Sequence, residues 1–132
     1  MSNSGISLDG WLAEAKADES AAQCGMYLCH NGVARITPKA QVREGAEGLP
    51  AVEAIDFSYD AEGVEAAKAA TLEMDGIYYV RVWLAEGRVE VGESIMYVLI
   101  GGDIRPHVID ALQTLVGTIK SELVTETEIY AS

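Results

Sequence analysis

The chain has 132 residues, 49% of them hydrophobic, and a net charge of −12 from 21 acidic and 9 basic side chains. That length fits one domain, 1–132, with one core, and the composition excludes intrinsic disorder. The acidic balance disfavours nucleic acid, which needs a basic face, and no apolar run nears the roughly 18 residues that cross a bilayer.

Leu8, Trp11, Leu12 and Ala15 recur at helical spacing, with Ser7 placed to cap a first helix; Ala17 to Ala22 reads as a loose segment. Gly25 to His30 reads as a strand closed by an Asn31-Gly32 turn, with Val33-Ala34-Arg35 open to continuing it past a bend. From Thr37 to Leu49 the chain carries Pro38, Gly45 and Gly48 among Lys39, Arg43, Glu44 and Glu47, a polar loop of a length that is usually functional or mobile. In Ala51 to Tyr59, Ile55, Phe57 and Tyr59 alternate with polar or small residues, which predicts a strand with one buried face. Asp60 then caps a helix over Ala61 to Met74, ended by Asp75-Gly76. Ile77 to Leu84 is a strand bulky on both faces, and Arg88 to Val91 is a short one. Ile95 to Ile100 is an apolar run of strand length, broken by Gly101-Gly102. A helix follows, with Pro106 in its first turn and Val108, Leu112, Leu115, Val116 and Ile119 along one side. Val124 to Tyr130, rich in Thr with Val, Ile and Tyr, is a last strand. The order α β β α β β β α β offers few crossovers of βαβ length, so the fold class is α+β with a mostly antiparallel sheet and flanking helices.

Two cations in the last strand–helix unit are candidates for chemistry. Arg105 sits at the helix N-terminus, where the dipole disfavours a cation unless an anionic ligand is shared between them. Lys120 lies about 100° from the centre of the apolar stripe, on the border between core and solvent. Cys24 and Cys29 have the spacing of neither a redox pair nor a zinc half-site, and reduced thiols are expected. The histidines, His30 and His107, join no ligand cluster, so no metal site is expected. There is no phosphate loop, dinucleotide fingerprint, nucleophile elbow or His-Glu-x-x-His. No basic-then-apolar leader opens the sequence, so a cytoplasmic protein is expected.

Three segments, in order, resemble one family. They are Gly25-Met-Tyr-Leu-Cys-His-Asn-Gly-Val-Ala-Arg35, Gly87-Arg-Val-Glu-Val-Gly-Glu93, and the strand-to-helix unit Gly92 to Lys120. Together, over about Gly25 to Glu128, the chain resembles the large, catalytic subunit of molybdopterin synthase, with an alpha/beta-hammerhead type of fold. The resemblance implies a homodimer within a heterotetramer completed by a small ubiquitin-like sulfur-carrier subunit. That subunit's C-terminal Gly-Gly thiocarboxylate gives sulfur to a cyclic pterin phosphate, precursor Z, in molybdenum cofactor biosynthesis, with no cofactor or metal in that step. It assigns the first catalytic lysine to Lys120 and the anion-binding arginines to Arg35 and Arg105. Two positions depart from the pattern: Ile104 stands where the family has a histidine, and Thr127 where it has a second catalytic lysine, which leaves open whether Lys39, the one lysine of the Thr37–Leu49 loop, replaces it. The alternative is a non-catalytic relative that keeps the fold and dimer and binds a protein or a small anionic ligand.

Overall fold

The computed structural model describes residues 5–43, 45 and 47–131; Glu44 of the loop named above lies outside them. In chain order they form α1 (Leu8–Ala17), a 3₁₀ turn (Glu19–Gln23), β1 (Met26–Val33), α2 (Lys39–Arg43), β2 (Val52–Tyr59), α3 (Ala61–Leu72), β3 (Ile77–Leu84), β4 (Gly87–Glu90), β5 (Ser94–Gly102), α4 (Arg105–Thr118), a π-helical turn (Ile119–Leu123) and β6 (Val124–Tyr130). The strands make two three-stranded antiparallel sheets, ordered β1-β5-β3 and β4-β2-β6. The α+β class with antiparallel sheets and flanking helices is therefore the architecture observed. No helix of the described residues is long and apolar enough to cross a membrane.

The continuous apolar run of β5 has a simple cause. The strand lies between β1 and β3, and all nine of its residues are buried. Successive side chains of a strand point to opposite faces. On one face Met96, Val98 and Ile100 join the main core with Phe57 and Val89 of the other sheet and Val108, Ala111, Leu115 and Ile119 of α4. On the other, Tyr97 and Leu99 pack with Trp11 and Ala15 of α1. The bulk of β3 on that outer face is also used: Trp83 packs on Tyr97 at 5.7 Å, and Arg81 covers Trp11 at 4.3 Å while pairing with Glu14 at 2.6 Å.

The caps are those expected. The Ser7 hydroxyl accepts from the Gly10 N–H, and the Asp60 carboxylate from the Gly63 N–H. Four local expectations are corrected. Asn31-Gly32 does not close β1: the strand runs on through it to Val33, with a bulge at Gly32/Val33, because Asn31 Nδ2 donates to Ser94 Oγ and to the Met96 carbonyl instead of making a turn. Ala17 to Ala22 is not loose, since Asp18 caps the 3₁₀ turn through Ser20. The Thr37–Leu49 loop contains α2. Gly101-Gly102 stays in β5, paired with Tyr27 and Met26 on one side and with Tyr79 and Ile77 on the other. A Cβ at Gly101 would meet the Tyr27 ring, so close approach of a side chain, not chain reversal, calls for glycine there.

Candidate functional site

The bulge in β1 re-aims the chain. Ala34, buried, donates its N–H to the Glu93 carbonyl and accepts from the Gly92 N–H. The next residue, Arg35, is exposed, with its Nε donating to the Thr37 carbonyl at 3.2 Å. The chain then forms α2, whose Lys39 and Arg43 stand four residues apart on one helical face. On the far side, α4 ends in the π-helical turn that carries Lys120, half-buried, before the chain enters β6. Such widened turns are frequent where a helix serves a functional site.

These pieces converge. Arg35, Lys39, Arg43 and Lys120 line one pocket of about 150 Å³, together with His30, Glu126 and Glu128, over an apolar floor that includes Ile55 and Ile95. Four cations face two carboxylates, so this pocket is positive in a chain whose net charge is −12. The carboxylates come from the inner face of β6. Val124, Glu126 and Glu128 are half-buried, while Thr125 and Thr127 are exposed on the other face. Glu128 Oε2 accepts the Lys39 backbone N–H at 2.8 Å, and Glu126 Oε2 lies 3.4 Å from Lys39 Nζ. The two contacts tether α2 to β6 across the pocket. His30 is neutral near pH 7: burial first, then the Lys120 charge, pushes its pKa below the usual histidine range.

The pocket thus gathers Lys120 and Arg35 but not Arg105. Arg105 is exposed at the start of α4, and Lys120 follows its end, about 20 Å away at 1.5 Å per residue. No side chain caps α4; Asp103 precedes it, with Oδ1 accepting from the Ile104 N–H at 2.6 Å and lying 2.7 Å from His107 Nδ1. That contact to His107 holds the Asp103 carboxyl below the usual carboxylate range. A single protomer therefore offers Arg105 no share in the Lys120 pocket.

Sequence reasoning missed His30, Arg43, Glu126 and Glu128, and left open whether Lys39 stands in for the absent second lysine; the pocket does bring Lys39 together with Lys120. The signal for the glutamates was present: acids at alternate positions in a strand whose other positions are threonines, which puts both on one face. Lys39 and Arg43 at helical spacing were masked by the surrounding Pro and Gly. A larger cavity, about 520 Å³, lies beside Cys24 and Tyr27, but Lys16 is the one cation of its lining.

No family model and no curated protein sequence matches the chain. Solved structures do. The X-ray structure of molybdopterin synthase from Staphylococcus aureus superposes with a TM-score of 0.74 at 12% identity, covering 100% of this chain and 90% of that one. Molybdopterin cofactor biosynthesis protein E from Burkholderia multivorans gives 0.69 at 18% identity over 98% and 86%. A complex of subunits 1 and 2 of the molybdopterin-converting factor from Helicobacter pylori gives 0.63 at 14% identity over 96% and 85%. The chain is thus an α+β protein of two antiparallel sheets with flanking helices. More particularly, its fold is that of the molybdopterin synthase large subunit, in a form of very divergent sequence.

Proposed function

We propose that the chain is the large subunit of a molybdopterin synthase-like complex in molybdenum cofactor biosynthesis, and that Lys120 and Arg35 form its reaction site. The observation that carries this reading is the convergence of those two residues, distant in sequence, in one positive pocket. Its volume, about 150 Å³, is below the roughly 300–1,000 Å³ of a typical small-molecule site. It suits a thin, anionic terminus such as a Gly-Gly thiocarboxylate, with the pterin phosphate held at its mouth by Arg35. Lys120 would hold the thiocarboxylate by charge and hydrogen bonding, or act as a nucleophile toward its acyl carbon; the half-buried setting strengthens either role. Arg105 serves the pterin phosphate in this scheme only if a second copy of the chain brings it to the pocket. The Helicobacter pylori structure, a complex of two subunits, supports pairing with a small subunit.

One observation favours a second reading, in which the fold and the anion pocket are kept without sulfur transfer. Thr127, at the position of the family's second lysine, is exposed on the β6 face opposite the pocket, and the pocket face carries Glu126 and Glu128 instead. A single-turnover assay decides. The protein is mixed with a thiocarboxylated ubiquitin-like partner from the same organism and with precursor Z. Molybdopterin formed by the wild type and at least about a hundredfold slower with Lys120→Ala establishes the synthase, by analogy with the loss of one preorganised electrostatic contact. No product from a folded protein with an authentic partner establishes the second reading.

A further inference from the structure

We propose that Lys39 is the second ammonium of the pocket, binding the same small oxyanion as Lys120, and that Glu126 is its built-in competitor. The inference rests on the anion-pocket reading above. It starts from an imbalance. A structural clasp between α2 and β6 needs one cation, and the Glu128 contact to the Lys39 backbone N–H already ties the two elements. Yet the pocket holds four cations against two carboxylates, an excess that a bound anion would neutralise.

The Lys39–Glu126 pair itself is loose. Its single contact is 3.4 Å, against the roughly 2.7–2.9 Å of a strong charge-assisted bond. An ammonium has three donors, and one weak contact leaves the others for a ligand. The Glu126 side chain, by contrast, is only 11% exposed and stands on the inner face of an edge strand. Buried glutamates are rare unless paired. Glu126 therefore holds the Lys39 chain in the pocket while no anion is present, and an oxyanion seated between Lys120 and Lys39 displaces that weak contact. The arrangement also accounts for Thr127: with the ammonium supplied from α2, a lysine on the outer face of β6 would add nothing to this pocket.

The test uses inorganic phosphate as the probe, titrated calorimetrically at low ionic strength into the full chain and its variants. Lys39→Gln and Glu126→Gln break the same ion pair but remove opposite charges. If Lys39 binds the anion, Lys39→Gln weakens phosphate binding by about fivefold, Lys39→Arg stays within about twofold, and Glu126→Gln tightens it by about threefold, the scale of one exposed charge contact. Lys39 is overturned as a ligand if Lys39→Gln and Glu126→Gln move the affinity in the same direction, or if neither moves it. Should Lys39→Gln fail to fold, the Lys39 side-chain resonance of the wild type is followed during the phosphate titration: a shift that saturates with binding supports Lys39 as a ligand, and an unmoved resonance overturns it. No phosphate binding by the wild type overturns the anion pocket and this proposal with it. Opposite shifts in a protein that makes no molybdopterin leave Lys39 in place and remove only the sulfur-transfer reading.

Discussion

At the scale of single residues, His30 Nε2 is buried without a hydrogen-bond partner, alone in this among the side-chain atoms of the described residues. An unsatisfied buried polar atom costs about 1–3 kcal/mol. His30→Phe keeps a flat ring and removes the nitrogen, so it is expected to stabilise the protein by about 1 kcal/mol at pH 7. The pH dependence follows from the depressed pKa, caused first by burial and then by Lys120. Below about pH 6.5 the unfolded chain takes up a proton that the folded protein refuses, so the wild type loses stability as pH falls through that window. Chemical denaturation between pH 5 and 8, values set by about that histidine range, should show the slope in the wild type and a flatter line in His30→Phe. Parallel curves would mean that the ring is protonated equally in both states. The legibility of the site divides along the same lines. Lys120 could be read from helical periodicity, because its neighbours Leu115 and Ile119 mark the buried face. Arg35 came only through resemblance. Lys39 could be raised only as an open alternative, and His30, Glu126 and Glu128 stayed hidden, because their roles depend on β1, α2 and β6 meeting, and no local pattern encodes that meeting.

At the scale of elements, the corner between α3 and β3 and the start of α4 are locked together. Gly76 has a φ of +77°, and its carbonyl accepts the Asp103 N–H at 2.8 Å. A Cβ there would run into the Asp103 carboxylate and the His107 ring, the two groups that pair in the first turn of α4. Gly76→Ala meets both the backbone penalty and the collision, and is expected to destabilise by about 2 kcal/mol or more. Gly117, inside α4, has nothing within 4 Å of its Cβ position and an ordinary helical φ. Gly117→Ala is expected to stabilise by about 0.5–1 kcal/mol, through lower entropy of the unfolded chain and higher helix propensity. Urea midpoints of the two variants should therefore move in opposite directions, and a shared direction would refute the account of the α3–β3 corner or that of the α4 interior, according to which midpoint moved the wrong way. The elements themselves were legible wherever the pattern is local. β3 and β6 fall on the expected residues, Ile77–Leu84 and Val124–Tyr130, and Ser7 and Asp60 cap as read. The errors fall where distant groups decide. Asn31 is drawn into the strand by Ser94 and Met96, and α2 is fixed by Glu128.

At the scale of the molecule, the order of elements told that the strands are mostly antiparallel but not that they divide into two sheets, since a strand's pattern names its faces and not its neighbours. The division leaves β3 at the edge of its sheet. An eight-residue edge with unpaired backbone groups invites pairing unless it is covered. Much of the apolar bulk expected there for a dimer is spent internally: Trp83 packs on Tyr97, and Tyr79 packs edge-on against Tyr27. Tyr78 remains exposed at the start of β3, and Ile104 is exposed just beyond the end of β5. The two share one end of the sheet, because Ile77 pairs opposite Gly102. A homodimer formed through this end joins identical surfaces about a two-fold axis, so a charge placed at either residue is met by its own copy. Sedimentation at micromolar concentration should give a dimer for the wild type and a monomer for Tyr78→Glu combined with Ile104→Glu, in a chain already at −12. The double variant should keep the thermal stability of a folded protomer, as both sites are exposed. A wild-type monomer would remove the dimer, and with it any route by which Arg105 of a second copy reaches the Lys120 pocket. A dimer that survives the double variant would place the interface on another face of the chain.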